Sequence, residues 1–133
     1  MRFSLKISAV PGILTAVSFL ELRLGLSLYE DHIIQWSPNN SRFGYNNKPL
    51  LVKEGDNIVF LCPNERRHKY TLYWTLNHSA YMQCRTTNQP DVHELMRCDA
   101  NSKVYEFILK VSLFSELMHI PQFYPGVPVY FLS

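Results

Sequence analysis

The chain has 133 residues, with 13 Lys or Arg, 11 Asp or Glu and a formal net charge of +2. Residues 1–27 hold three basic residues and one acidic residue, which leaves ten of each sign in the rest of the chain. A neutral domain lacks the basic face that nucleic-acid binding requires, so we exclude nucleic acid as a partner.

The first 27 residues have the pattern of a secretory signal peptide. A basic start precedes the mainly apolar residues 7–20, and charged residues then end the run. Small residues place the cleavage point after residue 27 or, alternatively, after residue 18. An uncleaved membrane anchor is the weaker alternative, because a span needs about 20 apolar residues. Residues 28–133 then form one small domain.

Several short apolar or alternating segments, separated by turn residues, predict β-strands along this domain. The clearest is Ile58–Cys62, which follows a Gly-Asp turn signal, is apolar on both faces and stops at Pro63. The predicted strands, in chain order, are His32–Trp36, Leu50–Val52, Ile58–Cys62, Tyr70–Leu76, Tyr81–Cys84, Leu95–Cys98 and Val104–Val111. Many short strands with almost no helical periodicity predict an all-β Greek-key sandwich.

Two sequons lie in turn-like segments, Asn39-Asn40-Ser41 and Asn77-His78-Ser79. In an exported chain each is a candidate glycosylation site, so we predict modification of Asn39 and Asn77.

Residues 112–124 are the exception to strand patterning. Their apolar side chains recur at helical spacing, which favours a short amphipathic helix packed on the core. The alternative is a long apolar loop that carries these side chains to a partner.

The chain has three cysteines, Cys62, Cys84 and Cys98, all in the part predicted to be exported. Thiols oxidise outside the cell, so an odd number predicts one disulfide and one unpaired thiol. The spacing matches no zinc pattern, and it leaves the pairing open.

Neither an enzyme nor a copper protein is well supported. The five histidines fall in different turns, so no nucleophile, base and orienting group are expected to converge. A cupredoxin copper site needs a thiolate followed within a few residues by His and Met, and after Cys98 the next histidine is His119. We therefore predict no catalysis, cofactor, metal site or small-molecule substrate.

The order of these features resembles the receptor-binding domain of ephrins, the ligands of Eph receptor tyrosine kinases. The resemblance covers residues 32–133. It rests on Trp36 and Phe43, the Gly55–Pro63 segment, Tyr70–Tyr73 followed by Tyr81–Cys84, Cys98, Phe114–Ser115, Phe123 and Val129–Ser133.

The resemblance implies a cupredoxin-like Greek-key barrel with a Cys62–Cys98 disulfide. It also implies a second bridge from Cys84 to a fourth cysteine, which this sequence does not contain. Residues 28–133 are therefore expected to lack the final strand at a truncated C-terminus. An open sheet edge and an unpaired thiol at Cys84 are the expected consequences.

The family's receptor-inserting loop matches ten consecutive residues, with Leu117, Met118 and Ile120 at the tip. The predicted receptor-binding residues are Phe114, Ser115, Glu116, Leu117, Met118, His119, Ile120, Pro121, Gln122 and Phe123. The implied function is that of an extracellular Eph ligand in contact-dependent cell–cell signalling, including axon guidance and migration. Family members are membrane-anchored at the cell surface, whereas this chain shows no anchor and is expected to be secreted as it stands. The alternative is a secreted structural glycoprotein, or a copper-binding cupredoxin-like protein, without an Eph partner.

Overall fold

The computed structural model describes residues 4–10, 29–43, 48–64, 69–101, 103–114 and 119–133. Within these ranges the protein is nearly all β, with two sheets and one short helix, so the predicted all-β sandwich is confirmed. The elements are β1 (Ser4–Ala9), β2 (Asp31–Gln35), β3 (Leu50–Val52), β4 (Asn57–Leu61), β5 (Tyr70–Thr75), α1 (His78–Met82), β6 (Val92–Cys98), β7 (Glu106–Lys110) and β8 (Val129–Leu132).

The described strands form two sheets. The larger has the order β3-β1-β8-β5-β6, and the smaller has the order β2-β4-β7. In the larger sheet β1 is parallel to β3, and all other neighbours are antiparallel. In the smaller sheet β2 is parallel to β4, and β4 is antiparallel to β7.

Aromatic side chains fill the space between the sheets. Phe60 of β4 and Phe131 of β8 belong to opposite sheets, and their ring centroids are 5.1 Å apart. Trp36 packs edge-on against Phe60 at 5.7 Å and against Phe43 at 5.2 Å. Trp36, Phe60 and Phe131 are fully buried. Several residues on which the family resemblance rests therefore build the core.

The turn before β4 requires glycine. Gly55 has a φ of +94°, in the left-handed region, and a Cβ at this position would collide with the ring of Tyr29. A substitution at Gly55 would therefore strain the backbone and displace an aromatic ring at once.

The prediction of a return strand at Tyr81–Cys84 is wrong. Residues His78–Met82 form α1 instead, because Asn77 caps the helix with its side-chain oxygen. That oxygen accepts the backbone N–H of Ala80 at 3.1 Å. A five-residue helix is too short to show helical periodicity in the sequence, so the segment reads as a turn followed by a strand.

Replacing Asn77 with alanine is expected to lower the free energy of unfolding by about 1 kcal/mol, because the backbone N–H of Ala80 at the start of α1 loses its acceptor. Urea denaturation of unglycosylated protein measures this change. Asn39→Ala is the matched control, since Asn39 is an exposed sequon residue outside any helix. Equal effects of the two substitutions would contradict the capping role.

The segment Ser4–Ala9 lies inside the larger sheet, although the sequence assigns it to a signal peptide. It forms β1, which pairs with β3 on one side and β8 on the other. Because β5 pairs with the other side of β8, the strand at Val129–Leu132 has two neighbours. Strand β8 is therefore an interior strand of the larger sheet among the described strands.

Candidate functional site

Residues 113–122, which we call the apolar loop, lie between β7 and β8 in the chain, and the structure describes 113–114 and 119–122 of them. Its base is closed by a backbone hydrogen bond in which Phe123 N–H donates to the carbonyl of Ser112 at 2.9 Å. The donor residue Phe123 is buried in the core, and so is Val111, which precedes the acceptor residue Ser112. Both ends of the loop are therefore fixed to the sandwich.

The C-terminal arm of the apolar loop is held by a second contact. The indole N–H of Trp74, on β5, donates to the backbone carbonyl of His119 at 2.7 Å. The next residues follow the core surface, since Ile120 packs against the core cluster and Pro121 is buried. The ring of His93 packs against Trp74 at a tilt of 31°, with ring centroids 4.6 Å apart, which helps to fix the indole. This arm is thus positioned from β5 and β6.

The N-terminal arm displays an aromatic side chain to solvent. Phe114 is 84% exposed, the largest exposed fraction among the large hydrophobic side chains described. Its backbone N–H donates to the hydroxyl of Ser112 at 3.1 Å, which fixes the turn at this point. A partner could bury this exposed phenyl ring without having to order the backbone that carries it.

The structure describes six of the ten predicted receptor-binding residues, and their exposure differs. Phe114 and His119 are exposed, Ile120 and Gln122 are half-buried, and Pro121 and Phe123 are buried in the free chain. Four further residues lie outside the described ranges, Ser115, Glu116, Leu117 and Met118. Residues 111–123 contain one charged side chain, Glu116, apart from His119. The loop is therefore close to neutral as well as apolar.

The disulfide predicted from the resemblance is confirmed. Cys62 follows β4 in the smaller sheet, Cys98 ends β6 in the larger sheet, and their sulfurs are bonded. The bridge links the two sheets covalently. Its larger-sheet end is on β6, which pairs with β5, the strand that carries Trp74. Cys84 is not part of this bridge and lies half-buried just after α1.

The buried carboxylate of Asp56 lies at the centre of a polar cluster. The sequence indicated only a turn at this position. The carboxylate oxygens accept the backbone N–H groups of Glu30 and Lys53, each at 3.0 Å. They also contact His32 Nε2 at 2.9 Å and Lys53 Nζ at 3.2 Å. Burial by itself raises the pKa of Asp56, but these hydrogen bonds outweigh it and hold the pKa below its ordinary value. The cluster joins the start of β2 to the β3–β4 turn.

Potential metal ligands are scattered over the described part of the chain. Within those ranges no three His, Cys, Asp or Glu side chains lie close enough together to hold a metal ion. The copper alternative requires a Cys thiolate, and neither Cys62 nor Cys98 offers one because they are bonded to each other. No helix in the described part of the chain has the length and hydropathy needed to cross a bilayer.

Sequence reasoning located the apolar loop but missed what holds it. The contact between Trp74 and the carbonyl of His119 joins residues 45 positions apart, and a backbone acceptor leaves no signal in the sequence. The exposure of Phe114 was equally hidden, since a loop has no periodicity from which to assign inward and outward side chains.

The sequence of the chain is similar to known proteins of one family. The family model described as Ephrin matches residues 27–133. Ephrin-4 of Caenorhabditis elegans is 27% identical over 81 residues, which cover 58% of this chain and 23% of that protein. The match thus spans about a quarter of the curated relative. Since the family model covers most of the chain, the protein belongs to the ephrin family.

Proposed function

We propose that this chain is an extracellular ligand of Eph receptor tyrosine kinases, and that the apolar loop is its receptor-contacting element. The observation that carries the proposal is the combination of a fixed base and an exposed apolar surface. Ser112, Trp74 and Phe123 hold the ends of the loop, while Phe114 is displayed to solvent. Membership of the ephrin family, whose members are receptor ligands rather than enzymes, supports the same role.

The energetic case rests on burial of the loop side chains by a receptor. Removing a Leu, Met or Phe side chain from water is worth about 1.5–3 kcal/mol. Part of that gain is lost when a flexible loop is ordered on binding. The two hydrogen bonds at the base of the apolar loop reduce this loss, because the arms are already positioned. Leu117, Met118 and Phe114 can therefore supply a large share of the binding free energy.

The proposed role is recognition without chemistry. An apolar channel of the receptor ectodomain accepts the loop, and clustering of receptors at a cell contact then starts kinase signalling that guides cell migration. The near-neutral loop suits such a channel, because burying unpaired charge on association is costly. The proposed place of action is the outer surface of the cell or the extracellular space, with sugars on Asn39 and Asn77.

Binding to immobilised Eph ectodomains tests the proposal. The double variant Leu117→Asp, Met118→Asp is expected to bind at least about 100-fold more weakly than the wild type, because two apolar contacts are lost and two charges are buried. Surface plasmon resonance gives the dissociation constants, and circular dichroism confirms that the variant is folded.

Leu51→Asp is the matched control for this experiment. Leu51 is an aliphatic side chain on β3 that is 60% exposed and lies outside the apolar loop. It receives the same substitution, so a general effect of added negative charge would weaken both proteins. Equal affinity of the control and the double variant for the receptor would contradict the role of the apolar loop as the contact element. Failure of the wild type to bind any Eph ectodomain would contradict the proposed function.

A further inference from the structure

The outer face of the smaller sheet carries a row of apolar side chains that crosses all three strands. Ile33 of β2 pairs with Val59 of β4, and Val59 pairs with Ile108 of β7, so the three side chains stand side by side. Ile33 is 59% exposed and Ile108 is 56% exposed, with Val59 half-buried between them. The next residue of β4, Phe60, points to the opposite face and is fully buried. The apolar row therefore faces away from the core.

The outer face of the larger sheet is treated differently. There the side chain of Tyr130, on β8, is covered by α1, whose Tyr81 stacks on it with ring centroids 4.4 Å apart. His78 Nδ1 of the same helix lies 3.0 Å from the hydroxyl of Tyr130. In the described part of the chain no helix covers the smaller sheet in this way, and Ile33 and Ile108 are each more than half exposed.

A polar row with opposite charges at its two ends lies beside the apolar row. Asp31 of β2 pairs with Asn57 of β4, and Asn57 pairs with Lys110 of β7. Asp31 and Lys110 are exposed, and Asn57 Nδ2 donates to the Asp31 carboxylate at 2.9 Å, which holds it on this face. The third row, on the other side of the apolar row, consists of Gln35, Leu61 and Glu106.

These rows are self-complementary about a two-fold axis that runs parallel to β4. Such an axis packs the face of a second copy on the first, with its β2 above β7 and its β7 above β2, and keeps each row opposite the same row. Asp31 of each copy then faces Lys110 of the other. Ile33 of each copy faces Ile108 of the other, so that apolar side chains meet apolar side chains. Each favourable contact occurs twice.

The middle strand selects this axis over the one perpendicular to β4. The charges alone do not decide, because the perpendicular axis brings Lys110 opposite Glu106. That axis also sets Asn57 of each copy against Leu61 of the other, and an amide buried against an aliphatic chain loses its hydrogen bonds to water. With the axis parallel to β4, Leu61 meets Leu61 and Asn57 meets Asn57. The parallel axis therefore leaves fewer polar groups without a partner.

The size of the face fits a weak contact. Three strands about 4.8 Å apart, with five residues at about 3.3 Å per residue, make a patch of about 14 by 17 Å. This is well below the roughly 800 Å² that each partner buries in a stable complex. A contact of this size joins two copies where the chain is concentrated, but not in dilute solution.

We propose that the outer face of the smaller sheet is a self-association surface that binds a second copy of this chain as a two-fold dimer. The surface is formed by β2, β4 and β7, and the proposed receptor contact at residues 113–122 lies outside it. A dimer therefore presents two apolar loops at once. The inference does not rest on the receptor, because self-association is measured without one.

Sedimentation equilibrium of the wild-type protein tests the proposal. The concentration is varied from about 10 µM to about 1 mM, and we expect the weight-average mass to rise from that of one copy towards that of two, with a dissociation constant of about 100 µM. A mass that stays at one copy up to the highest concentration would overturn the proposal. So would a mass that rises beyond two copies, because a two-fold contact closes on itself.

Ile108→Asp tests the apolar row. It is expected to weaken dimerisation at least about tenfold, because each of the two isoleucine contacts is replaced by a buried charge. Leu51→Asp is the matched control, since Leu51 is 60% exposed on β3 of the other sheet, and it is expected to dimerise like the wild type. Both positions are exposed, and circular dichroism confirms that both variants are folded. Equal dimerisation of the two variants would overturn the assignment of this face.

An exchange of charges tests the orientation of the two copies. Asp31→Lys is expected to weaken dimerisation about fivefold, because two pairs of like charges then face each other. The double variant Asp31→Lys, Lys110→Asp has the net charge of the wild type and restores two opposite pairs, so its dissociation constant is expected to return to within about twofold of the wild-type value. A double variant as weak as Asp31→Lys would overturn the proposed dimer.

Discussion

Replacing Cys62 and Cys98 together with alanine is expected to lower the free energy of unfolding by about 4 kcal/mol. The bridge spans a sequence separation of 36 residues, and closing a loop of that length restricts the unfolded chain by about this amount. It also joins the two sheets, since Cys62 follows β4 and Cys98 ends β6. For a domain of this size the loss is a large share of the total stability. Urea denaturation under non-reducing conditions measures it.

Cys84→Ala is the control for this prediction. Cys84 lies outside the bridge and is half-buried, so its replacement is expected to change the free energy of unfolding by less than about 1 kcal/mol. A loss for Cys84→Ala that equals the loss for the double variant would contradict the importance assigned to the Cys62–Cys98 bridge.

Asp56→Ala is expected to destabilise the protein by about 3 kcal/mol. The side chain of Asp56 is 2% exposed, and it satisfies the N–H groups of Glu30 and Lys53 and the ring of His32. Alanine would leave these part-buried donors without their protein acceptor, and an unsatisfied donor costs more than an intact pair contributes. The contribution of Lys53 Nζ is small because that side chain is 39% exposed.

Asp31→Ala provides the matched comparison on β2. Its carboxylate accepts a hydrogen bond from Asn57 Nδ2 at 2.9 Å, but the site is exposed. The expected loss is below about 1 kcal/mol. Denaturation curves of the two variants compare a buried carboxylate with an exposed one, and similar losses would contradict the role given to the Asp56 cluster.

The same cluster predicts how stability depends on pH. The pKa of Asp56 in the folded protein lies below the ordinary value of 3.8. The stability that this group contributes is therefore complete well above pH 3.8 and is lost as the pH falls towards its folded pKa. Unfolding measured between about pH 6 and pH 3 should show a steeper loss for the wild type than for Asp56→Asn. Parallel curves would contradict this contribution.

Local patterns in the sequence predicted much of the fold. The turn at Gly55 and the apolar run after it identify β4, and alternation at Tyr70–Thr75 identifies β5. Neither β1 nor α1 could be predicted in this way. The partners of β1 lie at residues 50–52 and 129–132, and the local pattern of the segment does not show that it pairs with them. The start of α1 depends on one side chain, Asn77.

The candidate site was predictable in position but not in detail. The resemblance to ephrins implied a receptor-inserting loop at Phe114–Phe123, and it implied the Cys62–Cys98 pairing, which spacing alone left open. It did not separate the buried Phe123 from the exposed Phe114, because that difference depends on a backbone bond to Ser112 and on the indole of Trp74. The partners of Asp56 were hidden for the same reason, since His32 lies 24 residues away.

Hydrogen–deuterium exchange with and without an Eph ectodomain tests the central claim most directly. It reports which backbone amides a partner covers, without any substitution in the chain. If the apolar loop is the receptor-contacting element, binding slows exchange at residues 113–122 and leaves the outer face of the smaller sheet, around Ile33 and Ile108, unchanged. Slower exchange at that face with no change in the loop would contradict the claim.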